Sequence, residues 1–466
     1  MLELLRMNKK QEYDDFINNK VFDDICSGFN VGELNKLLFP FQEAIVRWAL
    51  SRGRAAIFAD TGLGKTFMQC EWAYQVSLHT NKPVLIFAPL AVAKQTVENA
   101  AEFGIEVTYL RVQPDILSPG VYITNYEMQQ HFNAADFVGV VLDESSILKN
   151  QTGSTRREMI TIWGICPYRL SCTATPSPND FMELGNQSEF IGIMSMVEML
   201  AMFFVNDTGN TGTWRLKGHG KVKFWEWLST WAVVIRKPSD LGFSDVGYEL
   251  PPLNIIEHEV QTAIPIDGEM FARPAQTLSE RRQAKRDSLQ KRVIVAADLV
   301  NKSDEAWIVW CYLNDESEAL SKAILDNVEV KGADKMDDKE SRLLSFQHGE
   351  EHCLITKPSI AGFGMNFQHT RNHVFVGLDD SFEKYYQAIR RQYRFGQKHA
   401  VNSHIVISDG EGAIKQNIER KQLQHNEMTN QMVEHMREFM KKEITGAHVE
   451  KTAYSPNITM ELPRWI

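Results

Sequence analysis

The chain has 466 residues, of which 43% are hydrophobic, and a formal net charge of −10. That length suggests roughly three units at about 150 residues each, and the acidic balance excludes a globally basic nucleic-acid coat while leaving room for a local positive channel. The six cysteines stand singly, without the Cys/His spacing of a zinc site or disulfide framework, so reduced thiols inside a cell are expected.

The N-terminal extension, 1–36, carries no apolar segment of signal-peptide length, and the longest apolar run, near Val84 to Ala93, is interrupted by Pro89. Neither secretion nor a membrane span is expected. Phe39-Pro-Phe-Gln42 follows, with Trp48 just beyond. Ala55-Ala-Ile-Phe-Ala59 then reads as a buried parallel strand that leads into Asp60-Thr-Gly-Leu-Gly-Lys-Thr66. Gly62 and Gly64 permit a turn around a phosphate. The backbone N–H groups of Thr61, Gly62, Leu63 and Gly64 and the following helix N-terminus would face the phosphates, Lys65 would add a point charge, and Thr66 would offer a hydroxyl to Mg²⁺. The pattern predicts a nucleoside triphosphate site.

Val84-Leu-Ile-Phe-Ala88 and Val121-Tyr-Ile-Thr124 continue the alternation of strand and helix. Phe137-Val-Gly-Val-Val-Leu-Asp-Glu144 reads as a buried strand with two carboxylates at its C-terminal edge, where open parallel sheets place their chemistry. Asp143 would hold Mg²⁺ directly or through water, and Glu144 would orient and polarise the attacking water. Arg169 to Thr173 is a further strand, closed by Thr173-Ala-Thr-Pro176.

From about Pro176 to Gly247 the alternation breaks, and a helical insertion rich in Met, Phe and Trp is expected, with a polar loop at Asn206 to Gly212. Trp214, Trp225, Trp227 and Trp231, mixed with Arg215, Lys217, Lys221 and Lys223, suit packing of the insertion or, alternatively, base stacking. Pro251-Pro252 reads as a linker. The basic run Arg273, Arg281, Arg282, Lys285, Arg286, Lys291 and Arg292 suits phosphate binding or a solvated helix face. Strand-like runs return at Trp307–Leu313, Cys353–Thr356, His373–Val376 and Ser403–Ile407, giving a second α/β lobe without its own phosphate loop. A charged helical segment from Ile414 to Lys442 and a short tail complete the chain.

The motifs, in their order and spacing, resemble superfamily 2 helicases, and within them the Swi/Snf-type DNA translocases. The resemblance spans about Leu37 to Val406. It rests on Phe39-Pro-Phe-Gln42, the phosphate loop, Asp143-Glu-Ser-Ser-Ile-Leu-Lys-Asn150, Thr173-Ala-Thr-Pro176 with Asn179 and Glu183-Leu184, Ile235-Arg-Lys-Pro238 with Leu250-Pro-Pro252, Arg342 before Phe346, Gly362-Phe-Gly-Met-Asn366 and Gln387-Ala-Ile-Arg-Arg-Gln-Tyr-Arg-Phe-Gly-Gln397. Ser145 and Ser146 replace the small residue and histidine usual in that family, Ala174 replaces a glycine, and Arg390 stands where an acidic residue is common.

The resemblance implies two RecA-like doubly wound α/β lobes in tandem: lobe 1 at 37–176, a helical insertion and linker at 177–250, lobe 2 at 251–408, and a C-terminal helical extension and tail at 409–466. Gln42 would read adenine, Gly364 would lie at the nucleotide, and Arg391 and Arg394 would reach the γ-phosphate, for which a planar, permanently charged fork is suited. Lys94, Thr124, Lys357 and Ser359 match places where the family grips a nucleic-acid backbone. The implied activity is an ATP- and Mg²⁺-dependent motor on double-stranded DNA. The alternatives are a strand-separating DNA or RNA helicase, an ATP switch, and a motor subunit serving a nuclease, a methyltransferase or another DNA-processing protein. The implied compartment is the cytoplasm in a bacterium or virus and the nucleus in a eukaryote.

Overall fold

In the computed structural model the described residues are 27–149, 153–177, 180–206, 214–261, 278–362, 365–408 and 412–445. The readings at Asn150, Asn179, Gly364 and Arg273, the loop at 207–213, the tail, and the side chains of Arg281, Arg282, Lys285 and Arg286 lie outside the described residues.

The first α/β unit begins with α1 (Pro40–Arg52), β1 (Arg54–Ala59), α2 (Lys65–Thr80), β2 (Pro83–Ala88) and α3 (Leu90–Glu102). It continues with β3 (Val107–Tyr109), β4 (Gly120–Asn125), β5 (Gly139–Asp143), α4 (Ser154–Ile162) and β6 (Tyr168–Thr173). The central strands are apolar and buried along almost their whole length, as a sheet covered by helices on both faces requires.

Residues 177–250 supply helices α5 (Leu184–Ile191), α6 (Met196–Phe203) and α7 (Lys221–Trp231), and an antiparallel pair, β7 (Phe204–Asn206) with β8 (Trp214–Leu216). They also supply β9 (Ala232–Ile235), which lies beside β1 as the edge of the first sheet. The first sheet is thus all parallel, in the order β3-β4-β2-β5-β6-β1-β9, and extends past residue 176. Four consecutive buried apolar residues account for β9, because they follow a helix whose Trp225, Trp227 and Trp231 are already packed in the core of this unit. Base stacking by those three rings is corrected accordingly.

The second unit comprises β10 (Leu253–Val260), α8 (Leu278–Asn301), β11 (Trp307–Trp310), α9 (Asn314–Ala323) and β12 (Asn327–Val330). After these come α10 (Met336–Gln347), β13 (Cys353–Thr356), α11 (Pro358–Ala361), β14 (Asn372–Val376), α12 (Phe382–Ile389) and β15 (Val401–Ser408). Its parallel sheet runs β10-β15-β14-β11-β13-β12 and packs two apolar clusters of its own. In the basic stretch, Arg292 is buried and paired with Glu316 at 2.9 Å, and Lys291 donates to the Gln261 carbonyl. Both are structural contacts and not a free phosphate-binding face.

The last element, α13 (Gly412–Thr445), belongs to both units. Ile414 and Ile418 are buried in the second core, while Met432, Met436 and Met440 are buried in the first. Among the described residues no helix is long and apolar enough to cross a membrane, and the described cysteines, 70, 166, 172, 311 and 353, are free and buried.

Candidate functional site

The site lies at the carboxyl edge of the first sheet, where β1 ends at Ala59 and β5 ends at Asp143, the latter in register with Cys172 of β6. Asp60 to Gly64 turn the chain from β1 into α2. Gly62 and Gly64 hold φ values of +89° and +77°, a region that side chains with a Cβ avoid. A Cβ on Gly62 would lie 2.5 Å from the Phe395 backbone nitrogen, and one on Gly64 would collide with the Gln42 amide. The loop is therefore crowded from two sides, by α1 and by the turn that follows α12.

Lys65 opens α2, and its ammonium donates to the Ala59 carbonyl at 2.6 Å and the Asp60 carbonyl at 3.3 Å. Burial lowers its pKa against the opposing pull of Glu144, Asp60 and Asp143. The Thr61 N–H donates to the Asp60 carboxylate at 2.7 Å, and Thr66 sits half-buried in the first turn of α2, where backbone N–H groups have no helical acceptor. Gln42 is almost fully buried: its Oε1 accepts from the Phe39 N–H at 3.0 Å and its Nε2 donates to the Leu63 carbonyl at 2.9 Å. Both ends of the amide thus tie α1 to the phosphate loop.

Asp143 and Glu144 are both buried, and Glu144 adopts φ +53°, a left-handed backbone that costs on the order of 1 kcal/mol or more outside glycine. Burial, and then the neighbouring Glu144 charge, lift the Asp143 pKa to about 6. The Tyr126 hydroxyl donates to the Asp143 carbonyl at 2.7 Å, and the Glu144 N–H donates to Asp143 Oδ1 at 3.0 Å. Glu144 Oε2 is buried and finds no hydrogen-bond partner among the described residues. Such an acceptor is costly unless something donates to it.

The acidic pair is tied to β6 by a residue the motifs do not mark. Gln187 of α5 donates from Nε2 to the Ser145 carbonyl at 2.9 Å and accepts the Ser171 hydroxyl at 2.6 Å on Oε1. This bridge joins the backbone just after the acidic pair to β6. A lone buried Gln on a helix after Thr173 to Pro176 gives no distinguishing sequence signal.

From the second unit, the turn at 390–397 faces this edge. Glu144 supports the charge of both Arg391 and Arg394 against burial, which, followed by the like charge of Arg391, lowers Arg394 to about 10. Arg391 is nearly fully buried, and its guanidinium donates to the Gln387 carbonyl at 2.9 Å, the Gln387 side chain at 2.8 Å and the Met365 carbonyl at 3.3 Å. Phe395 stacks on Tyr248 with centroids 4.4 Å apart, and Phe39 meets both rings edge-on.

Two of the residues expected to grip nucleic acid are paired within the chain, one is exposed and one is buried. Lys94 pairs with the buried Glu340 at 2.5 Å, Lys357 donates to Asn314 at 2.6 Å, and Ser359 is exposed on α11. Thr124 is fully buried at the end of β4, so its hydroxyl offers nothing to a strand.

No family model matches the chain. Over 179 residues, a third of its length, it is 28% identical to protein p41 of Acyrthosiphon pisum secondary endosymbiont phage 1. Over 430 residues it is 21% identical to the mouse (Mus musculus) DNA annealing helicase and endonuclease ZRANB3, a likeness that covers 81% of this chain. The chain spans only 38% and 39%, respectively, of the lengths of these two relatives.

Proposed function

We propose that this protein is an ATP-dependent DNA motor of the helicase-like kind, hydrolysing ATP between two RecA-like lobes to move along or remodel double-stranded DNA. The observation that carries this reading is the convergence of a glycine loop with Lys65, a buried Asp143–Glu144 pair and two arginines from a second parallel-sheet unit. Three chemical requirements of phosphoryl transfer, namely phosphate cradling, water orientation and charge neutralisation, are met by those groups.

The donor set fits a nucleoside triphosphate with Mg²⁺. Thr66 and Asp143 would hold the metal, and no cluster of three His, Cys, Asp or Glu residues suited to a metal occurs among the described residues. The remaining ligands of such a cation would be phosphate oxygens and water. When bound, Mg²⁺ supplies charge neutralisation of the phosphates.

The protein's own steps are then these. The loop N–H groups and Lys65 bind the phosphates, with Lys65 exchanging its bonds to Ala59 and Asp60 for phosphate oxygens. The unpartnered Glu144 carboxylate oxygen accepts a hydrogen bond from the attacking water and fixes its direction. Arg391 and Arg394 neutralise developing charge, and Arg391 must loosen at least one of its bonds to Gln387 or Met365 to do so. Closure and release between the units couple this cycle to a grip on nucleic acid.

The likeness to a DNA annealing helicase supports DNA as the polymer. The experiment is steady-state ATP hydrolysis with no nucleic acid, single-stranded DNA, duplex DNA and RNA, with Glu144→Gln as the blank. Stimulation by duplex DNA alone supports the translocase. Stimulation by single strands or RNA supports a strand-separating helicase, and indifference to all three polymers supports an ATP switch.

A further inference from the structure

The first residue of the phosphate loop, Asp60, is held by groups from both units. Its carboxylate accepts the Thr61 N–H at 2.7 Å from its own loop, the Tyr386 hydroxyl at 3.0 Å and an Arg390 N–H at 3.3 Å, the last two belonging to α12 and its C-terminal cap. Asp60 itself is fixed to the first sheet, because its N–H donates to the Ile235 carbonyl of β9 at 3.0 Å. The Arg390 guanidinium lies 5.0 Å from the Tyr386 ring centroid and 5.5 Å from that of Tyr393, and the Arg390 and Asp60 side chains are only 14% and 15% exposed. Burial alone would raise the Asp60 pKa, but Arg390 and the Thr61 N–H together hold it below the usual carboxylate range.

We propose that Arg390, with Tyr386, is a positioning residue that registers α12 against the phosphate loop through Asp60 and so sets where Arg391 and Arg394 arrive. The reasoning is geometric. Arg390 is the C-cap of α12 and the immediate neighbour of Arg391, so fixing its head group to Asp60 fixes the turn that carries both downstream arginines. A planar fork lying between two aromatic rings has little rotational freedom, which makes it a stiff connector, and lysine could supply the charge but not the stacked plane. Asp60 in turn shares the loop with Lys65, whose ammonium bonds the Asp60 carbonyl. Without nucleotide, a displacement at Arg390 is therefore felt by the Lys65 ammonium two hydrogen bonds away.

This inference rests on the nucleotide site proposed above, and two measurements on the full chain separate the failure of one from the failure of the other. The first is hydrogen–deuterium exchange without nucleotide. Asp60→Asn is expected to raise exchange in peptides covering 382–394, and Arg390→Gln is expected to raise it in peptides covering 59–66, each across the gap from the altered residue. Unchanged exchange across the gap in either variant overturns the latch, whatever the ATPase does.

The second is ATP hydrolysis. Arg390→Gln is expected to lower kcat about tenfold with a smaller change in KM, the factor carried by one charge-assisted hydrogen bond. Arg390→Lys should recover only part of the loss, and Asp60→Asn/Arg390→Gln should be no slower than the worse single variant, since the two act through each other. Multiplying losses in the double variant would overturn the pairing. Wild-type protein that hydrolyses no ATP would remove the site reading and leave the exchange result standing.

Discussion

The Lys94 ammonium lies 2.5 Å from the carboxylate of Glu340, the lysine on α3 of the first unit and the glutamate on α10 of the second. Arg111 reaches the same carboxylate at 3.7 Å and also pairs with Asp337. Two acids of one unit thereby occupy two cations of the other, in the way that backbone phosphates would.

If those cations serve DNA, the acids compete with it. Glu340→Gln is expected to tighten duplex binding and to steepen its dependence on salt by up to about one unit of log–log slope per cation released. Fluorescence anisotropy between about 50 and 200 mM salt measures both. An unchanged slope would mean that Lys94 and Arg111 serve only the contact between units.

Glu144→Gln keeps the size of the side chain and one oxygen but loses the negative charge facing the arginines. Turnover should fall roughly 10²- to 10³-fold while nucleotide binding persists, whereas Lys65→Ala should lose the binding itself. Equilibrium binding of a fluorescent ATP analogue, read beside turnover, separates the two. Wild-type turnover in Glu144→Gln would remove that residue from the chemistry.

Gly64→Ala introduces a methyl group where the backbone is left-handed and the Gln42 amide already sits. Strain of about 1 to 3 kcal/mol is expected, together with displacement of Gln42 and weaker nucleotide binding. A thermal midpoint and a binding isotherm for the variant check both. Unimpaired binding would show that the loop has room that the structure does not display.

His425 of α13 is buried beside Phe382 and Tyr386. Burial depresses its pKa to about 4, Asp60 opposing and Arg236 and Arg390 assisting. Because the unfolded imidazole titrates near 6.5, the unfolded state binds more protons between about pH 6.5 and 4, and stability must fall as pH drops through that window. The loss is on the order of 3 kcal/mol when complete. His425→Gln should flatten this part of a denaturation-midpoint profile, and a profile as steep as the wild type would assign the slope to other groups.

Much of the fold is legible because buried parallel strands are written as short apolar runs. β1, β2, β5, β13 and β14 all largely coincide with such runs. β9 was hidden for a physical reason: Ala232 to Ile235 follow directly on Trp231, so the strand reads as the continuation of an aromatic helix. β10 was hidden because Leu253 to Val260 is an edge strand with polar residues on its outer face. The phosphate loop and acidic pair declared themselves through glycines and carboxylates at fixed spacing. Gln187 and Arg390 did not, since their meaning lies in what a distant segment places opposite them, Ser145 and Ser171 for one and Asp60 for the other.

The helix α13, 34 residues long, extends for about 50 Å and is anchored by isoleucines in one core and by methionines in the other. A helix held at both ends cannot let its two anchorages rotate freely. Any change in the angle between the sheets must appear as slippage at one pin. Branched isoleucine has few rotamers, whereas the unbranched thioether has three rotatable bonds and tolerates irregular contact. Any such slip would fall first at Met432, Met436 and Met440. In the closure and release proposed above, α13 would thus limit the angle between the units, and its middle, where His425 packs on Tyr386, lies beside the Asp60 end of the loop.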